Sequence, residues 1–137
     1  MLRTVTAYFA TGLVMAAIDF FWLFYMSAAL YRPALGELLA PSVRPVPAVL
    51  FYLIFVGGLV YFAVMPALAS GRWTTALVQG AVFGLCAYAT YDLTNQATLR
   101  TWPAYITIAD LMWGTALSGA SAALGFLITR QVVAQSG

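Results

Sequence analysis

Between Arg44 and Arg72 the chain carries no charged side chain at all, and this uninterrupted apolar stretch restricts the fold more than any other feature. A helix needs about 20 apolar residues to cross the hydrocarbon core of a bilayer. Three further apolar runs, near 5–31, 75–97 and 103–130, are of comparable length. Only 7% of the residues are charged and 64% are hydrophobic, with a mean hydropathy of +0.92, whereas a soluble domain carries about a quarter of charged residues. The expected fold is therefore all-α, an integral membrane four-helix bundle forming a single transmembrane domain over 1–137. Its helices are expected at about 5–31, 46–69, 75–97 and 103–130. The Ala34 to Pro41 stretch is too short to span, and it is expected to lie at the interface between helices one and two. The first run is longer than the apolar core of a secretory signal and contains an acid and many aromatics, so it is expected to be a mature helix.

The basic residues are six arginines, and the formal charge of +2 is small and dispersed. No basic patch exists, so nucleic acid is not an expected partner. With no histidine and one cysteine, the common zinc, haem and copper sites lack ligands, as does an intrachain disulfide. No metal and no cofactor is expected, and Cys86 reads as a small buried packing residue. Arg3, Arg72 and Arg130 flank one side of the expected bundle and Arg32, Arg44 and Arg100 the other. The positive-inside rule thus meets a tie.

The polar points inside the apolar runs carry the chemistry. Tyr88, Tyr91, Asp92 and Asn95 fall on one helical face, since residues three, four and seven apart lie one above another. Asp19 sits near the middle of the first run, and Asp110 about two turns into the fourth. Both are followed one turn later by an indole, Trp22 and Trp113. Carboxyl groups in apolar spans are rare and face a bundle interior or a wet cavity. Asp19, Trp22, Tyr88, Tyr91, Asp92, Asn95, Asp110 and Trp113 are therefore the candidate ligand- or proton-binding residues. The second run, without a charge, is expected to supply walls rather than chemistry. Gly80 and Gly84, together with Thr107, Gly114, Ser118 and Ser121 on the fourth helix, form small faces suited to close helix contact, and the fourth helix is expected to be central.

The combination Asp19-x-x-Trp22, Tyr31-x-x-x-Leu35-Gly36, Tyr88-Ala-Thr-Tyr91-Asp92-Leu-Thr-Asn95-x-Ala97-Thr98, Trp102-Pro103 and Asp110-x-x-Trp113-Gly114 resembles a bacterial family of small predicted inner-membrane proteins, catalogued as a domain of unknown function. The resemblance covers nearly the whole chain and implies four helices and a multi-pass location in the bacterial inner membrane. It lends no activity.

Three functions fit this inventory. An acidic, aromatic-lined chamber suits binding or transport of a lipophilic or cationic small molecule, with proton exchange at a carboxyl. The same acids suit an intramembrane enzyme acting on a lipid or isoprenoid, one Asp as acid and another as base. An accessory subunit of a larger membrane complex would use them as polar links between helices. Binding or transport ranks first. Membrane lipids are expected contacts, and a homodimer or a partner membrane subunit is the candidate assembly.

Overall fold

The computed structural model describes residues 1–135, and among these the secondary structure is entirely helical. The winding forms four columns. The first consists of α1 (Leu2–Met26), a π-helical turn (Ser27–Tyr31) and α2 (Arg32–Leu35). A 3-10 turn (Gly36–Leu38) and an open loop lead to the second column, α3 (Pro45–Leu59), a π-helical turn (Val60–Val64) and α4 (Met65–Ser70). Gly71, at φ 71°, closes α4 in the left-handed conformation, which favours glycine. The third and fourth columns are α5 (Trp73–Thr98) and α6 (Ala104–Gln135). Three columns, over Leu2–Leu38, Pro45–Ser70 and Ala104–Gln135, are long and apolar enough to cross a membrane. The third is 26 residues long, and Gln79, Asp92, Asn95 and Gln96 lower its apolar character. Many large apolar side chains point outward, among them Phe9, Leu13, Phe20, Phe24, Ile54 and Met112, a surface suited to lipid and hazardous in water.

The helix does not stop at Tyr31-Arg32-Pro33. Proline lacks an N–H and its ring crowds the carbonyl four residues earlier, so Pro33 ought to break the column. The winding instead opens into a wider turn that ends two residues before Pro33 and then continues. Pro66 is accommodated in the same way, with its π turn ending at Val64. A π bulge removes the crowded i to i−4 contact at a local cost in hydrogen-bond geometry.

Half of the apolar window of α6 is buried, against 11% for the first column and 33% for the second, so the fourth helix is the central one. Along its contact with α5 a ladder runs at four-residue spacing. Gly80 faces Ala122 and the Ser118 carbonyl, Gly84 faces the Gly114 carbonyl and Ser118, and the Tyr88 ring fills the place a side chain on Gly114 would take. A Cβ at Gly80 would stand 2.7 Å from that of Ala122, closer than real carbon atoms pack. On the other side of α6, Gly125 receives Thr11 of α1. Both small faces are thus spent inside the bundle. The expectation for Cys86 is corrected, because its thiol is exposed on α5 while the adjacent Gly84 turns inward.

Gly84→Leu and Gly114→Leu are expected to lower stability by about 1–3 kcal/mol or more, since each drives a side chain into backbone or a seated ring. Thermal unfolding in detergent checks this, with Cys86→Leu, on the outward face, expected to melt as the parent does.

Candidate functional site

The ladder between α5 and α6 continues one step beyond Tyr88 and Gly114, and that step sets Asp92 against Asp110. Both are buried, at 0% and 7% exposure. Their side chains lie within hydrogen-bonding reach of each other, while neither oxygen of Asp92 has an N–H or O–H donor among the described residues. A carboxylate only accepts. A hydrogen bond between two carboxyl groups requires a proton on one of them.

Asp110 has a second partner. Tyr31 donates its hydroxyl to Asp110 Oδ1 at 2.5 Å, and the Trp22 indole N–H donates to the Tyr31 oxygen at 2.9 Å. The π turn makes this possible. On an unbroken helix, at about 100° per residue, Tyr31 would stand about 180° around from Trp22. One residue's worth of extra backbone in the turn reduces that to about 80°, and the two side chains meet.

Asp19, 5% exposed, is served by two other columns. Tyr52 of α3 donates to its Oδ2, and the Trp113 indole N–H donates to its Oδ1 at 3.0 Å. Trp22 and Trp113 stack face to face, with ring centroids 4.2 Å apart and planes 9° from parallel. The two Asp-x-x-Trp segments are therefore reciprocal. Because α1 and α6 run antiparallel, each acid stands near the other helix's indole, directly for Asp19 and through Tyr31 for Asp110. Tyr88, seated on Gly114, lies within electrostatic reach of Asp19, Asp92 and Asp110.

Of the residues singled out in the sequence, Asp19, Trp22, Asp92, Asp110 and Trp113 are joined through these contacts, and Tyr88 stands among them. Tyr91, 59% exposed and edge-on to Trp102 at 5.8 Å, lies at the rim, within electrostatic reach of Asp92 and Asp110 and beside Asn95. Asn95 is half-buried one turn beyond Asp92. Two donors were missed. Tyr31 falls where Arg32-Pro33 reads as a helix end, and Tyr52 lies in the span read as wall material. That reading of the second span is corrected, since Tyr52 is one of the two donors to Asp19.

Next to this cluster a groove of about 410 Å³ opens on the outer side of α1, lined by Ile18, Phe21, Trp22, Tyr25, Met26 and Trp113. Its walls are aromatic and aliphatic. The stacked indoles line the groove and turn their N–H groups toward Asp19 and Tyr31. It thus offers an apolar molecule a flat surface directly connected to the acids. Among the described residues no group of His, Cys, Asp or Glu is arranged to hold a metal ion.

The model of the family described as predicted membrane protein (DUF2177) matches residues 4–127. The chain belongs to this family. No curated protein and no solved structure matches it. The matched region takes in both Asp-x-x-Trp segments, the ladder and Tyr52.

The hydrogen bonds make unequal demands on substitution. Tyr52→Phe strips Asp19 of a donor and is expected to cost about 1–3 kcal/mol. Asp110→Asn keeps an oxygen for Tyr31 and offers an amide N–H₂ to Asp92, so its melting temperature is expected to equal or exceed the parent's. Thermal unfolding of both variants in one detergent separates them.

Proposed function

We propose that this protein binds a lipophilic small molecule that enters sideways from the membrane into the groove beside Trp22 and Trp113, and that the carboxyl cluster behind them exchanges a proton as the molecule comes and goes. The setting is the bacterial inner membrane, as the resemblance of its motifs implies. One observation carries the reading: the two indoles that line the groove are the same two that bond to Asp19 and, through Tyr31, to Asp110. A molecule pressed on the stacked rings shifts the indoles, and a shifted indole changes the donors available to the carboxyls. A wholly apolar lining favours a hydrocarbon tail or flat ring in the groove itself. A positive charge on the ligand would find the indole faces and the nearby acids.

The contact between Asp92 and Asp110 favours a second reading, as an enzyme that protonates and deprotonates a membrane-dissolved substrate. Two carboxyls sharing a proton can supply an acid and a base in turn. The enzyme reading demands that the substrate's reacting atom reach Asp92 or Asp110, whereas binding demands only the groove.

Native mass spectrometry of protein extracted gently from membranes tests the proposal. A lipophilic molecule is expected to remain with the parent chain and to be lost from Trp22→Leu/Trp113→Leu. Asp92→Asn and Asp110→Asn are expected to keep the folded bundle and alter retention as pH is changed. If the Trp variants retain the molecule as well as the parent does, the groove is not its site. If the Asn variants carry it unaltered at every pH, the acids are only structural links.

A further inference from the structure

We propose that the end of the bundle remote from the acids carries a separate site for the phosphate head group of an anionic phospholipid, held between Arg3 and Arg130. The two arginines come from the first turn of α1 and the last turns of α6, the two ends of the described chain. They line a single groove of about 250 Å³, together with Leu68, Gly71, Phe126 and Val133.

The charge there is uncompensated by sequence and topology. The four acids are Asp19, Glu37, Asp92 and Asp110. Asp19 lies about 24 Å along α1 from Arg3, and Asp110 about 30 Å along α6 from Arg130, at about 1.5 Å per residue. Asp92 pairs with Asp110, and Glu37 follows the far end of the first column. Among the described residues no acidic side chain is near enough to neutralise the two guanidinium groups of the groove.

The shape suits a phosphate with an acyl stem. The Arg130 guanidinium lies over the Phe126 ring, 5.7 Å from its centre, which holds the group while leaving its N–H edge to face an anion. Guanidinium and phosphate match geometrically through paired N–H donors. The Thr129 hydroxyl is already given to the Gly125 carbonyl at 2.7 Å, so the arginines are the charge-bearing donors of the groove. Gly71 keeps its mouth open, since a Cβ there would meet nothing within 4 Å. Leu68, Phe126 and Val133 continue the groove as an apolar wall. A free phosphate would use the arginines alone, whereas a phospholipid uses both parts, with its head group at the helix ends where lipid phosphates lie.

The test uses the full chain in detergent, with phosphatidylglycerol, phosphatidylcholine or inorganic phosphate added, and reads bound lipid by native mass spectrometry beside the melting temperature. Phosphatidylglycerol is expected to be retained at least tenfold better than phosphatidylcholine, and Arg3→Gln/Arg130→Gln is expected to abolish the preference. Arg3→Lys/Arg130→Lys, which keeps charge and loses the planar fork, is expected to fall between them and stands in for the Gln pair if that pair does not fold. Arg72→Gln is the control, because Arg72 belongs to the same end of the bundle and does not line the groove; it is expected to change retention less than twofold. Equal loss in Arg72→Gln would reduce the effect to diffuse attraction and overturn the proposal. Protection by inorganic phosphate equal to that by phosphatidylglycerol would also overturn it, as would an undiminished preference in both double variants.

Discussion

Backbone contact between α5 and α6 decides where everything else can be. Gly80, Gly84 and Gly114 each receive a group of the facing helix where their own side chain would stand, Ala122, Ser118 and the Tyr88 ring in turn, and such an interlocked contact resists slippage. With the register held, the fourth step brings two carboxyls together, a juxtaposition that neither helix would favour alone. A charge buried without a partner costs several kcal/mol, so the favourable packing of the small residues supports an unfavourable pair at the end of the row. The other two columns respond to it. Tyr31 reaches Asp110 from the first, and Tyr52 reaches Asp19 from the second, so that hydrogen bonds to Asp19 and Asp110 join the first, second and fourth columns.

The same acids therefore have a structural use and, in the proposed reading, a chemical one. These uses are compatible because they draw on different atoms. Asp19 accepts from Tyr52 with one oxygen and from Trp113 with the other, which satisfies it and fixes its position. Asp92 has no such pair of donors.

The sequence made the bundle readable because lipid simplifies the problem. Long apolar runs are helices, and a charge within them turns inward. The face containing Asp92 and Asn95 could be read from spacing alone, and so could the central place of α6 from its small residues. Tyr31 could not. Its route to Asp110 depends on a wider turn forced by Pro33, and a proline read locally signals an ending. Tyr52 was hidden for a different reason, since a tyrosine in an apolar helix matches a lipid-facing aromatic until the neighbouring helix is known to offer an acid. Cys86 misled because hydrophobic surroundings in the sequence say nothing of direction when the solvent itself is hydrophobic. Tyr91 sits next to Asp92 in the chain and turns its ring toward Trp102 at the rim of the cluster, as adjacent helical residues point about 100° apart.

The two halves of the bundle are held in different ways. Toward the termini, glycine, alanine and serine bring helices close, and Val64 and Phe126 fill the space beside them. Toward the loops after α2 and α5, they are kept apart by tyrosine, tryptophan and aspartate side chains joined tip to tip. The first kind of contact is apolar and close, the second polar and directional. The end where the indoles stack is thus the end at which a hydrogen-bonded side chain, rather than a packed backbone, meets the surrounding lipid.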